Sequence, residues 1–160
     1  MRKIRQKFSK PMKPWEKQRI IDEKQLIKEY AYRNKSEIWK MKTKVDEFRN
    51  FAKKLVSIDN DQQLKERDEF LKGLYRRGLV EKDASIDDVL ALTVRDISER
   101  RLQTMVFRKG LVNTPKQARQ FIIHGHVFIS DQKVTVPSKI VSREEEKDIR
   151  VVGVRVGGKK

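Results

Sequence analysis

Residues 98–152 contain many cationic, amide and hydroxyl side chains, which are the groups in this protein best suited to bind another molecule. An arginine binds a phosphate through two parallel hydrogen bonds or stacks on a base, while lysines, amides and hydroxyls contact phosphates, sugars and base edges. The candidate contacts are Arg100, Arg101, Gln103, Arg108, Lys109, Thr114, Lys116, Gln117, Arg119, Gln120, His124, His126, Lys133 and Ser138. These residue types favour binding of an RNA backbone.

The net charge also indicates a polyanionic partner. The 160 residues include 39 Lys and Arg against 23 Asp and Glu, a net charge of +16, which is typical of proteins that bind phosphate backbones. Residues 1–20 carry eight cations and one anion, whereas residues 21–97 carry 17 cations and 16 anions. The positive charge is therefore placed at particular segments instead of being spread evenly.

Several classes of function are excluded by what the sequence lacks. It has no cysteine and two histidines, so we expect no disulfide and no metal. No run of apolar residues approaches the roughly 18 that a transmembrane helix needs, and no early segment resembles a signal peptide. We also expect no cofactor, no small-molecule substrate and no contact with a membrane.

Residues 1–14 are predicted to be a basic arm. Lysines and arginines alternate there with Phe8 and two prolines, without the period of a helix or strand. Such a segment is typical of one that orders only against RNA, and the alternative is a disordered solubilising tail. The candidate RNA contacts in this arm are Arg2, Lys3, Arg5 and Lys7. Residues 153–160 are predicted to be a short basic tail.

Residues 15–97 are predicted to be a helical domain. Helices are expected over 15–33, from the cap at Asn34, over 61–77 with a stop at Gly78, and from caps at Ser85 and Thr93. The second of these helices carries apolar residues at alternating spacings of three and four, namely Ile38, Met41, Val45, Phe48, Ala52 and Leu55. So short a seam favours packing within the chain over a dimeric coiled coil. Trp39 lies off this seam, which leaves core packing and RNA stacking as alternatives.

Residues 98–152 are predicted to form a small α+β module of two short helices packed on an antiparallel hairpin. The helix that begins at Thr93 is expected to run to Lys109, and Thr114 with Pro115 begins a second helix that ends at Gly125. The free amides at the start of this second helix favour binding of a phosphate. The expected strands are 127–129, a return strand through Val134 and Val136, and 149–152. The expected core residues are Leu102, Ala118, Phe121, Ile122, Val127 and Ile129.

Two rows of donors should then face one groove of folded RNA. Arg101, Arg108 and Lys109 are expected to be exposed on the first module helix, and Lys116, Arg119 and Gln120 on the second. His124 and His126 flank the glycine turn, where a phosphate contact and an ordinary structural role stay equally open.

These residues resemble a known family. The module resembles the S-four RNA-binding domain, and the chain with Asn34-Lys35-Ser36-Glu37-Ile38-Trp39 and Glu99-Arg100-Arg101-Leu102-Gln103-Thr104 resembles the archaeal and eukaryotic branch of the S-four family of small-subunit ribosomal proteins. The resemblance implies a structural constituent of the small subunit that binds the 5′ domain of its ribosomal RNA, nucleates assembly and lies near the mRNA entry channel. The implied partners are small-subunit ribosomal RNA, neighbouring small-subunit proteins and mRNA, in the cytoplasm.

Two alternatives come from other classes. One is a free-standing S-four-domain RNA-binding protein, and the other is the targeting module of an RNA-modifying enzyme. An enzyme would need catalytic motifs of its own, and the sequence has no glycine-rich phosphate loop and no nucleophile arrangement. One position also departs from the family pattern, because Pro115 stands where many relatives carry an arginine. Lys116 is the candidate to replace that contact.

Overall fold

A computed structural model of the chain describes residues 8–56 and 61–153. The predicted contacts Arg2, Lys3, Arg5 and Lys7, and residues 154–160 of the tail, lie outside this part. Helices α1 to α8 span Lys17–Tyr30, Lys35–Val56, Asp61–Arg76, Ile86–Ala91, Val94–Glu99, Leu102–Arg108, Pro115–His124 and Arg143–Lys147. Strands β1 to β3 span Val127–Ile129, Gln132–Lys133 and Ile149–Val151. The predicted α+β class is confirmed.

Helix α2 is the centre of the N-terminal hydrophobic cluster. Its seam residues are buried, apart from the partly buried Phe48, and they pack with residues of the neighbouring helices α1, α3, α4 and α5. The prediction that this seam packs within the chain is therefore confirmed. In the third helix, α3, Leu74 is buried while Leu64 is 57% exposed.

Phe8 and Trp39 show that part of the predicted arm lies on the helices. The two rings are 5.8 Å apart, and the Trp39 indole Nε1 donates to a Glu23 carboxylate oxygen at 2.9 Å. The Ser9 amide donates to the Thr43 hydroxyl at 3.3 Å. The expectation that this segment orders only against RNA is thus wrong for its last residues, since an aromatic contact to α2 already holds them.

The C-terminal module has its own hydrophobic cluster. Its sheet has the order β2-β1-β3 with antiparallel pairing throughout, and helices α6 and α7 contribute buried residues to the same cluster. The six predicted core residues are all buried. The members of the cluster are Leu102, Met105, Val106, Val112, Ala118, Phe121, Ile122, Val127, Ile129, Val134, Val141 and Ile149.

The prediction of one continuous helix from Thr93 to Lys109 is wrong, because α5 ends at Glu99 and α6 begins at Leu102. The amide of Leu102 donates to the carbonyl of Lys139 at 2.8 Å instead of to its own helix. Arg101 pairs in a short antiparallel bridge with Ile140. Residues 137–141 therefore take over the backbone hydrogen bonds at this point, and α6 starts as a separate helix.

The hairpin also differs from its prediction. The return strand covers Gln132–Lys133, and the expected pairing beyond it stops after the Val134 amide, which donates to the Val127 carbonyl at 3.1 Å. Ser130 takes the positive φ of the turn, at 53°. A positive φ at the first of two central turn residues matches the right-handed twist of a hairpin.

Candidate nucleic-acid interface

Helix α7 begins as its sequence predicts. Thr114 is the N-cap, and its hydroxyl accepts from the Gln117 amide at 3.2 Å. The Gln117 side chain in turn accepts from the Asn113 amide at 3.0 Å. These capping bonds commit Thr114 and Gln117 to the helix. The exposed side chains Lys116 and Gln120 are therefore better placed on this helix to meet a ligand.

Glu37 of α2 joins two of the predicted RNA contacts. Its carboxylate accepts two hydrogen bonds from the Arg119 guanidinium, at 2.9 and 3.2 Å, and one from Arg101 at 3.0 Å. The Arg101 guanidinium also lies 4.2 Å from the centre of the Tyr32 ring. Arg101 is 1% exposed, so the prediction that it lies in an exposed row is wrong. An arginine and a glutamate 64 residues apart form this contact.

The two arginines keep Glu37 ionised. Burial alone would raise the pKa of its carboxyl, but the hydrogen bonds and charges of Arg119 and Arg101 lower it below the ordinary value of 4.5. A carboxylate between two guanidinium groups leaves one excess positive charge at this place. The arrangement connects α2 to the module and retains attraction for an anion.

Gln103 is also buried, and the expectation that it is available to RNA is wrong. Its side-chain amide donates to the carbonyls of Tyr30 at 3.3 Å and of Pro115 at 3.0 Å. It also donates to the carbonyl of Ala31 at 3.4 Å, a residue in the left-handed region with φ 49°. Gln103 therefore links the end of α1 to the start of α7.

Arg100 makes a similar structural connection between other segments of the chain. Its guanidinium donates to the carbonyls of Arg77 at 3.1 Å and Val141 at 3.0 Å, and to the Glu146 carboxylate at 2.8 Å. A side chain at Gly78 would collide with this guanidinium. The close approach and the positive φ of 70° at Gly78 both require glycine there.

Arg108 and Lys109, at the end of α6, are exposed but have partners within the chain. Arg108 donates two hydrogen bonds to Glu99, at 2.7 and 3.1 Å, and Lys109 donates to the backbone carbonyl of Glu146. Burial raises the pKa of Glu99, and the bonds from Arg108 and from Tyr30 lower it overall. Exposed pairs of this kind contribute at most about 1 kcal/mol, so both cations can be recruited by a ligand.

The remaining predicted contacts are on the surface. Lys116 and Gln120 are exposed on α7 and form no hydrogen bond or ion pair with the rest of the described chain. His124 is exposed at the end of α7, while the half-buried His126 ring meets Phe121 edge to face at 6.0 Å. Exposed Lys133 lies across Gly125, and a side chain at that glycine would collide with it.

An open groove of about 920 Å³ lies between α2 and the module. Arg119 and Ser138 line it on the module side, with Lys40 and Lys44 on α2 and the Glu37 carboxylate between the two sides. Lys116 lies one helical turn before Arg119 on α7, and Gln120 lies one turn after Lys116; both are exposed outside this lining. We call the lined surface the α2/α7 groove, and we define it by Lys40, Lys44, Arg119 and Ser138.

Comparison with known proteins agrees with this geometry. Residues 100–147 match the S4 domain family. The small ribosomal subunit protein uS4 of Ignicoccus hospitalis is 47% identical over 145 residues, which cover 91% of this chain and 87% of that protein. The chain belongs to the uS4 family. The uS4 proteins of Methanococcus aeolicus and Nanoarchaeum equitans are 47% and 46% identical over 146 and 150 residues, covering 91% and 92% of this chain and 82% and 83% of theirs.

For this uS4-family chain, the sequence interpretation missed Lys40 and Lys44. They are one helical turn apart, and two like charges at this spacing weaken an isolated helix by a few tenths of a kcal/mol. Their position next to the predicted seam residue Met41 could have identified them. Residues beside a buried seam lie at the edge of the contact between the helix and its packing partner. The uS4-type module supplies the opposite wall of the groove.

Two further observations concern the described residues of this uS4-family chain. Within residues 8–56 and 61–153, none of the helices combines the length and the apolar character that crossing a bilayer requires. The same residues contain no group of three or more His, Cys, Asp and Glu side chains that could hold a metal ion.

Proposed function

We propose that this protein is a structural constituent of the small ribosomal subunit, that it binds the ribosomal RNA directly, and that it is not an enzyme. Its membership of the uS4 family supports the ribosomal role. The observation that carries RNA binding is the α2/α7 groove, where Lys40 and Lys44 face Arg119 from the opposite wall. Cations on two walls can neutralise phosphates on both sides of a strand or helix edge.

The finer parts of the proposal concern place and partners. We propose that the groove binds the 5′ domain of the small-subunit RNA, and that this binding nucleates assembly of the subunit near the mRNA entry channel. The compartment is then the cytoplasm, and neighbouring small-subunit proteins and mRNA are further partners. Residues 1–14 are proposed as a basic arm, 15–97 as a helical domain, 98–152 as the RNA-binding domain and 153–160 as a basic tail.

The residues proposed to contact RNA divide by exposure. Exposed Ser138 in the groove, and exposed Lys116 and Gln120 on α7, can reach a phosphate directly. Arg119 can do so while its other hydrogen bonds stay with Glu37. Arg101 and Gln103 instead hold the module against α2 and α1, and Arg100 connects Arg77 to Val141 and Glu146. The hydrogen bonds of all three are made within the protein. The four cations before Phe8 are still proposed as RNA contacts.

The experiment that tests the ribosomal role is co-sedimentation with purified small subunits. The protein should remain stoichiometric with the subunit at moderate salt, because many simultaneous contacts hold a subunit constituent in place. A protein that stays in the soluble fraction would favour a free-standing RNA-binding protein or an enzyme's targeting module instead.

Salt dependence tests the kind of contact. Because phosphates should be neutralised by Lys and Arg, log Kd for a transcript of the 5′ domain should rise linearly with log salt, with a slope on the order of several. Filter binding or fluorescence anisotropy across a salt series measures this slope. A slope near zero would contradict an interface based on cations and phosphates.

Lys116, one helical turn from Arg119 on α7, tests the module side of the interface at one position. Lys116→Ala should raise Kd for the same RNA roughly fivefold, about 1 kcal/mol, and lower the salt slope by about one. The melting temperature should not change, because the Lys116 side chain makes no contact that holds the fold. Lys82→Ala is the matched control, since Lys82 is an exposed lysine that lies neither on α7 nor in the lining of the groove. Equal losses from both changes would show that net charge alone sets the affinity.

A further inference from the structure

Trp15 is unusually exposed for its residue type. The chain has two tryptophans, and Trp39 is half-buried with its indole hydrogen-bonded to Glu23. Trp15 is 90% exposed. Tryptophans are highly buried on average because the ring has so much apolar surface. An indole left in water in the folded protein therefore indicates a partner that covers it.

The backbone that carries Trp15 is held in place. Arg19 of α1 donates to the carbonyls of Lys13 at 3.1 Å and Pro14 at 2.6 Å. The same guanidinium pairs with the buried Glu23 carboxylate. Two residues after Trp15 the chain enters α1. The indole is thus presented from a braced turn, which lowers the entropy cost of ordering it against a ligand.

The surroundings of Trp15 indicate the chemistry of that partner. Lys10, Lys13 and Lys17 are exposed on either side of it in sequence, and residues 1–20 carry eight cations and one anion. A flat apolar ring among cations matches a single-stranded nucleic acid, whose bases supply π faces and whose phosphates supply negative charge. A protein partner would have to be strongly acidic around an apolar pocket.

We propose that Trp15 stacks on an unpaired base of RNA, and that the lysines beside it bind the flanking phosphates. The proposal deepens the RNA-binding function above and rests on it. It adds a contact that is not part of the lining of the α2/α7 groove. Stacking of this kind tolerates any base, so the site takes an unpaired nucleotide of any type.

Affinity for the 5′-domain transcript is the first measurement. Trp15→Ala should raise Kd about 5- to 150-fold, the range that corresponds to one lost base stack, while Trp15→Phe keeps a ring and should stay within about threefold of wild type. Leu64→Ala is the matched control, because it removes another exposed apolar side chain, one that is 57% exposed. All three variants should melt like the wild type, because neither side chain is buried.

Fluorescence supplies the second measurement. Stacking on a base should quench Trp15, so RNA should dim the wild-type emission, and Trp15→Phe should abolish most of that change because Trp39 then emits alone. Unchanged affinity of Trp15→Ala together with unquenched emission would overturn the inference even if wild type binds RNA. Wild type that fails to bind RNA would overturn the proposed function as well. A variant that binds RNA normally but no longer co-sediments with small subunits would mean that Trp15 docks on a protein, which also overturns the stack.

Discussion

Phe121→Ala should lower the free energy of unfolding by about 3–5 kcal/mol. The Phe121 ring is 9% exposed and lies in the hydrophobic cluster of the module. It packs from α7 toward the sheet, where the His126 ring meets its edge. Truncation removes the apolar burial of the ring and leaves a cavity that close-packed neighbours fill only partly. Urea unfolding followed by circular dichroism measures the difference.

Ile123→Ala is the control on the same helix. Ile123 is 50% exposed, so the same kind of truncation should cost less than about 1 kcal/mol. Equal losses at the two positions would show that the helix itself, rather than the buried face that Phe121 occupies, determines the effect. Binding of RNA by the folded fraction of Phe121→Ala should be close to wild type, because the ring does not reach the groove.

Local signals explain which parts of the fold could be predicted. Thr114 and Pro115 mark the start of α7, and Gly125, with φ 77°, marks its end, because capping and left-handed glycine depend on adjacent residues alone. The seam of α2 was equally predictable, since the spacing of its apolar residues identifies the buried face without reference to the neighbour that covers it. The α+β class of the module was predictable because the spacing of apolar residues changes after Gly125 from that of a helix to that of a strand.

A helix boundary that depends on distant residues was not predictable. Residues from Thr93 to Lys109 have good helical propensity, and nothing in them marks the break after Glu99. The break exists because the segment around Ile140 pairs with Arg101 and accepts the next amides. In contrast, α8 carries a local signal that was overlooked, a capping box in which Ser142 and Glu145 bond reciprocally.

In the candidate site, too, local features were predictable and contacts between distant residues were not. Residue type predicted that cations would gather in this module, and Arg119 does line the groove, with exposed Lys116 one helical turn from it. Residue type could not distinguish the buried Arg101 from the exposed Lys116, because both are cations on consecutive helices. The difference is made by Glu37, which belongs to α2 and is 64 residues away from Arg101 in the sequence.

Glu37→Gln should lower the free energy of unfolding by about 3 kcal/mol. Arg101 is 1% exposed, and its Nε and Nη1 atoms are buried without a hydrogen-bond partner in the part of the chain described. The Glu37 carboxylate is the negative charge that compensates this guanidinium. Removing one member of a buried pair leaves an uncompensated charge, which costs about 3–5 kcal/mol. The lower end applies because the Glu37 side chain is 18% exposed.

Arg119→Gln is the matched control for that prediction. Arg119 is 22% exposed on its side chain, and its loss leaves the pair between Glu37 and Arg101 intact. It should therefore cost about 1 kcal/mol in stability while weakening RNA binding. Equal destabilisation by the two changes would contradict the explanation that Glu37→Gln destabilises the protein by leaving the buried Arg101 without a counter-charge. Thermal unfolding at neutral pH compares the two variants.

The pH dependence follows from the same carboxylate. Its pKa in the folded protein is below the ordinary 4.5 that applies in the unfolded chain, so its contribution to stability is complete above pH 4.5 and is lost as the pH falls through the folded value. The stability difference between wild type and Glu37→Gln should shrink over that acid range, because protonation removes the charge that the variant already lacks. A difference that stays constant down to pH 3 would contradict the ion-pair explanation.

A second substitution distinguishes two causes of the destabilisation: the lost attraction between Glu37 and Arg101, and the buried charge of Arg101 that is left without a partner. If the cost of Glu37→Gln comes mainly from an uncompensated Arg101, then adding Arg101→Met should recover part of the stability, because the guanidinium that lacks a counter-charge is removed with it. The recovery should be incomplete, since the cation over the Tyr32 ring is lost as well. A double variant less stable than Glu37→Gln would show that Arg101 contributes chiefly through its packing on Tyr32, with Glu37 secondary.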